Sequence, residues 1–353
     1  MMSLVLTLVA QRDAATLDAA TIALARDTVD GAQTVTTLSA GEAVDIPCPA
    51  TAADRLPALR AALADKPVDA VLTHQDARRK RLLVSDMDST IVANETLDDL
   101  ATHAGIGEKI AEITARSMNG ELDFATALRE RVALLKGFPA SLLEKAWNDV
   151  RLNEGAKELV QTMRAHGAHT ALVSGGFTFF TSRVATLCGF QENHANTLTI
   201  ADGMLTGETG HPILGPDTKL ALLTSLAEKH ALPANATLAI GDGANDLPML
   251  KAAGLGLAFY AKPIIRNAIA AQINHTSLRT ALFVQGYPAS FDPRRNISSF
   301  PFVRVFLALV GCALMAYCFQ YYLTLPPDSP EHVMRHVAAL IIGTLILLGT
   351  IWV

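Results

Sequence analysis

The 353-residue sequence predicts an α/β protein in three parts: an open parallel sheet with an inserted helical cap, a small α+β domain ahead of it, and a transmembrane helical hairpin behind it. Three observations predict this class. Four short apolar runs, "RLLVSD", "HTALVSGG", "TLAIGDG" and "LGLAFY", alternate with helical pattern, and three of them carry polar residues at the carboxyl end. Buried parallel strands have this near-continuous apolar character, and open α/β sheets bind ligands beyond the carboxyl ends of their strands. Between the first run and the second lie about 80 residues of helical pattern, far more than one crossover helix requires. The last 60 or so residues hold two long uncharged apolar runs.

Each part follows from its own stretch of sequence. Residues 3–10 alternate as a strand does, and "LDAATIALARDTV" has helical spacing. "TVTTLSAGEAVDIPC" is strand, turn and strand around Gly41, followed by a helix through "DRLPALRAALAD" and a strand "VDAVLTH". Residues 1–78 therefore form the N-terminal α+β domain, and the basic run "QDARRKR" (75–81) is expected to be a solvated linker. Residues 79–286 form the parallel-sheet domain, with the cap at about 93–160. "TLTIADGMLTGETG" (197–210) is a hairpin able to act as a flap. Residues 287–303 are a linker.

Residues 304–353 hold the two expected spans, 305–325 and 337–353, uncharged over 21 and 17 residues. A spanning helix needs about 20 apolar residues, with about 17 near the lower limit. Arg294, Arg295 and Arg304 precede the first span and favour a cytoplasmic start, so two spans return the terminus to that side. The rest of the composition excludes other classes. A net charge of −5 argues against nucleic acid as a partner. Cys48, Cys188, Cys312 and Cys318 show neither disulfide nor metal-ligand spacing. "MMSLVLTLVA" lacks the basic start of a secretory signal, which predicts a cytoplasmic catalytic part anchored at the membrane by its C-terminal helices.

The chemistry-bearing residues cluster at the strand ends. "DMDST" places Asp86 and Asp88 two residues apart, on one side of a strand with Met87 opposite. A D-x-D pair alone is more often two loop aspartates. Together with Asp242 and Asp246 of "GDGAND", however, it makes a hard-oxygen set suited to Mg²⁺. One carboxylate can attack phosphorus, and a second can protonate the leaving alkoxide and then deprotonate water. "VSGG" (173–176) offers the Ser174 hydroxyl and the open backbone of Gly175 to phosphate oxygens, and Lys219 can supply a fixed positive charge.

D-x-D-x-T, a Ser after the second strand, a Lys and G-D-x-x-N-D, in this order, resemble the haloacid dehalogenase (HAD) superfamily of phosphatases. The segments "ETLDDLA", "SMNGELDFATALRERVALLKG", "LVSGGF" and "AIGDGANDLPML" are similar to those of its phosphoserine phosphatases. The resemblance covers residues 80 to about 286 and implies a HAD-like Rossmannoid sheet. It implies an Mg²⁺-dependent hydrolysis of O-phospho-L-serine, the last step of L-serine biosynthesis, through an aspartyl phosphate. By this resemblance Asp86 is the nucleophile and Asp88 the acid/base. Ser174, Gly175 and Lys219 contact phosphate, and Asn245 is a further active-site contact. The metal lies on Asp86, Asp242 and the Asp88 carbonyl, with Asp246 supporting. Glu95 would accept the substrate ammonium and Arg131 clamp its carboxylate, with Met118 and Phe124 lining the pocket. The N-terminal domain resembles the ACT-like regulatory regions of bacterial members. The alternatives are another HAD small-molecule phosphatase or phosphotransferase, an ion pump with an aspartyl-phosphate domain, and a binding protein that has lost catalysis. A homodimer is left open.

Overall fold

The first strand, β1 (Leu4–Ala10), is buried along its whole length, on both faces of its sheet. The computed structural model describes residues 4–12, 17–32, 34–118 and 121–289, with the side chain of Met118 outside that description. The expected spans at 305–325 and 337–353 lie outside the described residues. Among the described residues no helix is long and apolar enough to cross a membrane.

After β1 come α1 (Ala19–Thr28), β2 (Thr36–Ser39), β3 (Ala43–Cys48), α2 (Ala52–Ala62) and β4 (Val68–His74). The sheet is antiparallel in the order β2-β3-β1-β4, so β1 is central between β3 and β4. Leu6, Leu8, Ile46, Ala25 and Leu59 pack into one core on this domain. The opposite face is covered by the rest of the chain: Val9, Leu38 and Ala43 pack with Phe283. Covering both faces removes the clean apolar–polar alternation of a half-exposed antiparallel strand.

Charged residues line this seam. Arg78 donates to both carboxylate oxygens of Asp45, at 2.6 and 2.7 Å, and to the carbonyl of Val284 at 2.9 Å. Asp69 accepts from the backbone of Asn274, His275 and Thr276. Arg279 pairs with Glu42 at 2.8 Å and with Glu158 at 3.0 Å. The run 75–81 is exposed at Gln75, Asp76, Ala77, Arg79 and Arg81, as a solvated linker would be, but Arg78 and Lys80 are tied into the protein. Lys80 is buried, its ammonium donating to the carbonyls of Ala77 and Asn235, because buried charges persist where partners satisfy them.

The parallel sheet begins with β5 (Leu82–Asp86). The insertion follows as α3 (Thr96–His103), α4 (Gly107–Met118), α5 (Phe124–Ala133) and α6 (Ser141–Asp149). Its two stems meet where Val92 bridges Leu152. The expected cap range of about 93–160 would divide α7 (Ala156–Ala165), but α7 packs its apolar face, Leu159, Val160 and Met163, into the sheet core. Then follow β6 (His169–Phe177), α8 (Thr178–Cys188), β7 (Glu192–Asn196), the antiparallel hairpin β8 (Leu198–Ala201) and β9 (Met204–Thr209), and α9 (Pro216–Lys229). Next are β10 (Thr237–Gly241), α10 (Leu247–Ala252), β11 (Leu255–Phe259), α11 (Pro263–Ala268), β12 (Gln272–Ile273) and α12 (Thr280–Phe283).

The sheet order is β12-β11-β10-β5-β6-β7, parallel throughout, with β5 in the middle. The β8–β9 hairpin fastens the cap. Gly137 donates to Leu205, Leu205 to Phe138 and Ala140 to Gly203, which gives the α5–α6 turn strand-like partners.

Candidate active site

Strand register assembles the site. Asp86 lies opposite Val173 of β6, so Ser174 begins just beyond its level. On the other side Ile240 lies opposite Ser85, which brings Gly241 level with Asp86 and Asp242 just past it. Three consecutive strands of the sheet thus present Asp242, Asp86 and Ser174 at one carboxyl edge, where chain leaving the sheet exposes polar groups to a crevice.

Asp86 is buried, and its Oδ1 accepts from its neighbour's backbone, Met87 N, at 2.8 Å and pairs with Lys219 Nζ at 2.7 Å. Lys219, in the first turns of α9 and equally buried, also pairs with Asp246 Oδ1 at 2.5 Å. Burial raises the Asp86 carboxyl well above its ordinary value and Asp246 adds to this, while Lys219 opposes both. Burial works against the Lys219 charge, yet the two carboxylates more than offset it and push its pKa up. Both oxygens of Asp246 are engaged: Oδ1 by Lys219, and Oδ2 by the backbone N–H groups of Asp242 and Gly243 at 3.2 and 3.0 Å. A Cβ at Gly241 would overlap that carboxylate, which is why the strand ends in glycine. Burial, then Asp246, raises the Asp242 carboxyl to about 6.

Asp88 turns away from this group. Its Oδ2 accepts from Ser174 Oγ at 2.8 Å and its Oδ1 from the backbone N–H of Thr96 at 2.9 Å. Ser174 Oγ in turn accepts from Gly176 N at 2.8 Å, and a Cβ on Gly176 would press on both side chains at 3.0 and 3.3 Å. The second aspartate is therefore fixed between the sheet edge and the first cap helix.

The carboxylates of Asp86, Asp242 and Asp246 offer ligand atoms within 4.8 Å of one another. Two of them are strained by burial and mutual repulsion, and all their donors are hard oxygens, so the residues present fit a divalent metal ion. Asp88 does not join this trio by its carboxylate.

The remaining expected residues gather on the cap side. Phe124 opens α5 and faces the backbone of Gly175, where a Cβ would approach its ring to 3.0 Å. Phe124, Ser174, Gly175, Lys219 and Asn245 line one narrow cavity together with Leu214. Glu95, at the N-terminus of α3, accepts from Ser89 Oγ at 2.7 Å. Burial raises the Glu95 carboxyl and lowers the Arg131 guanidinium, and Asp98 and Glu95 both act to restore the Arg131 charge. Among the described residues no ion pair joins Glu95 to Arg131; Glu95 is held by Ser89, and Arg131 Nε donates to the carbonyl of Ala127 at 3.3 Å. Met118 ends α4.

Three positions were not singled out from sequence. Asp98 shares the field of Arg131, and its spacing three residues after Glu95 on a helix is a signal that could have found it. Ser89 holds Glu95 from a backbone with φ +53°, and nothing in its sequence context marks it. Asn196 donates to the carbonyl of Gly175 at 2.9 Å and accepts from Leu214 N at 2.8 Å, tying the glycine turn to the loop before α9. Only the folded chain brings those segments together.

The family description "haloacid dehalogenase-like hydrolase" matches residues 83–251. A phosphoserine phosphatase from Streptococcus thermophilus is 48% identical over 199 residues, which is 56% of this chain and 93% of that protein. The solved structure of a HAD-family hydrolase from Salmonella enterica serovar Typhi superposes with a TM-score of 0.71 at 29% identity, covering 80% of this chain and 98% of that one. That share is too large for the parallel-sheet domain alone, so the likeness extends into the N-terminal domain. A solved phospho-aspartyl intermediate analogue of phosphoserine phosphatase superposes with a TM-score of 0.54 at 38% identity, over 58% of this chain and 98% of that one.

Proposed function

The chain belongs to the phosphoserine phosphatases of the haloacid dehalogenase-like hydrolases, and on that premise we propose how its residues hydrolyse O-phospho-L-serine to L-serine and phosphate. One arrangement supports the assignment of roles above all. Asp86, Asp88, Ser174 and Lys219 converge on a single strand edge through contacts of 2.7 to 2.8 Å, beneath a cap that carries Glu95 and Arg131.

Asp86 attacks phosphorus in line, with its Oδ1 held by Lys219 and by the Met87 N–H so that the other oxygen is free to react. Lys219 and the Ser174 hydroxyl hold oxygens of the transferring group. Asp88 gives its proton to the serine oxygen as the P–O bond breaks. It then takes a proton from the water that attacks the aspartyl phosphate, which restores Asp86 and releases phosphate. Asp86 and Asp242 with the Asp88 carbonyl would hold Mg²⁺, and Asp246 would orient Lys219 and the 242–243 backbone. The ion, when bound, supplies neutralisation of the carboxylates and polarisation of the phosphoryl oxygens.

Substrate choice rests on Glu95 and Arg131. An acid at the start of the cap and a half-buried guanidinium, not paired with each other among the described residues, match the ammonium and carboxylate of an amino acid. Glu95→Ala and Arg131→Ala are each expected to lower kcat/KM for phosphoserine by about 30-fold, since a hydrogen bond to a charged group contributes about 2 kcal/mol. A simple alkyl phosphate should be turned over almost unchanged by either variant. Equal losses on both substrates would mean that the pair serves the chemistry or the fold and not recognition.

Anchoring of the catalytic domain at the cytoplasmic face by 305–325 and 337–353 is carried by the sequence of those runs. One experiment addresses both readings: the full chain is fractionated, extracted in detergent and assayed for phosphate release from phosphoserine with Mg²⁺ and with excess EDTA. Activity is expected in the membrane fraction and should fall by on the order of 100-fold on chelation. Activity indifferent to EDTA would overturn the metal assignment, and a chain recovered without detergent would overturn the anchor.

A further inference from the structure

At the other end of the parallel sheet, away from the catalytic edge, lies a second group of titratable side chains. His169 opens β6, Glu192 opens the neighbouring β7, and His230 caps the C-terminus of α9. His169 Nε2 lies 3.0 Å from Glu192 Oε1, and the two imidazole rings face each other at 4.1 Å between centroids. One ligand atom from each of the three residues lies within 4.8 Å of the others. His230 Nε2 is buried and has no hydrogen-bond partner among the described residues. Buried polar atoms are almost always satisfied, so an orphaned nitrogen on an imidazole that sits beside a carboxylate and a second imidazole calls for a ligand.

We propose that His169, Glu192 and His230 form a divalent transition-metal site of the Zn²⁺ class, separate from the catalytic carboxylates. Two imidazoles and one carboxylate are the donor set that borderline-soft ions select, in contrast to the all-oxygen group at Asp86, Asp242 and Asp246. Bonds of about 2.1 Å in a tetrahedral ion place its ligands about 3.4 Å apart, so ligand atoms within 4.8 Å of one another need to close by at most about 1.4 Å. Three protein ligands leave a fourth position for water. His194 Nε2 lies 3.2 Å from Glu192 Oε2 and orients that carboxylate from behind. In the metal-free form the exposed Lys229 ammonium, 2.9 Å from Glu192 Oε1, supplies the positive charge the ion would bring.

The placement gives the site a structural consequence. Ser174 lies five residues along β6 from His169, and Lys219 eleven residues along α9 from His230. At about 3.3 Å per strand residue and 1.5 Å per helix residue, both are roughly 16 Å away. An ion here would pin the far ends of the two elements that deliver Ser174 and Lys219 without touching the substrate.

The test titrates Zn²⁺ into the full chain in detergent by calorimetry, with Mg²⁺ saturating so that the catalytic carboxylates are occupied. One Zn²⁺ per chain is expected, with a rise in melting temperature. His230→Gln should weaken binding by more than about 100-fold, beyond the roughly 10- to 100-fold loss of an outer partner, while phosphate release in Mg²⁺ stays unchanged. Lys229→Met, which frees Glu192 Oε1, should tighten binding. If His230→Gln does not fold, His169→Gln carries the same expectation. Absence of Zn²⁺ binding under saturating Mg²⁺, affinity unchanged in the histidine variants, or weaker binding by Lys229→Met would each overturn the proposal.

Discussion

Asp86→Asn should reduce phosphate release from phosphoserine by at least about 10⁴-fold, as removal of a nucleophile does when no neighbouring group can replace it. The neighbouring Asp88 is committed to Ser174 at 2.8 Å and to the Thr96 N–H at 2.9 Å. Asp246 is turned toward Lys219 and the 242–243 backbone and cannot swing in without releasing all three partners. The amide is nearly isosteric with the acid and keeps an oxygen for the Met87 N–H and Lys219, so the fold should survive. Steady-state kinetics would measure the loss, and a thermal melt would show that the variant is folded. Acid-quenched wild-type chain during turnover should carry one added phosphoryl group by mass, absent from Asp86→Asn. A variant that still turns over at close to the parent rate, or that still acquires the phosphoryl group, would remove Asp86 from the nucleophile's role.

Much of this site was legible because its residues sit where local sequence already says what the backbone does. Asp86, Ser174 and Asp242 each follow a buried apolar run, and a parallel register then carries them to one edge. The parallel sheet followed from the same runs, and its HAD type from the resemblance of the motifs at their ends. What could not be read depends on contacts between distant segments. The basic run at 75–81 resembles a solvated linker, because its partners Asp45, Val284 and Asn235 are known only once the N-terminal sheet docks. The hairpin at 198–209 was recognisable as a hairpin, but its place beside the turn at 137–140, rather than as a flap, is set by tertiary hydrogen bonds. Asn196 bridges Gly175 and Leu214 with no local pattern to mark it. Local chemistry is written in order along the chain, and docking is not.

Lys219→Met is the second change with a large expected effect, because it acts on stability and catalysis together. The ammonium is almost completely buried between Asp86 and Asp246, at 2.7 and 2.5 Å. Removing it leaves two buried carboxylates facing each other with nothing between them, and stranding buried charge in this way costs about 3–5 kcal/mol. In a chain of 353 residues that corresponds to a fall in melting temperature of about 4–7 °C. Catalysis should drop by a further 10²- to 10³-fold, roughly the cost of losing one fixed group that stabilises developing charge. The two losses separate by their response to metal. In EDTA the variant has only proton uptake to relieve the repulsion, whereas with Mg²⁺ a divalent cation can neutralise Asp86 and Asp242. Mg²⁺ should therefore raise the melting temperature of Lys219→Met by more than it raises that of the parent, while activity stays low, since the ion restores charge balance but not the contact to the transferring group. An equal Mg²⁺ shift in both proteins would mean that Lys219 is not the counter-ion of the carboxylate cluster.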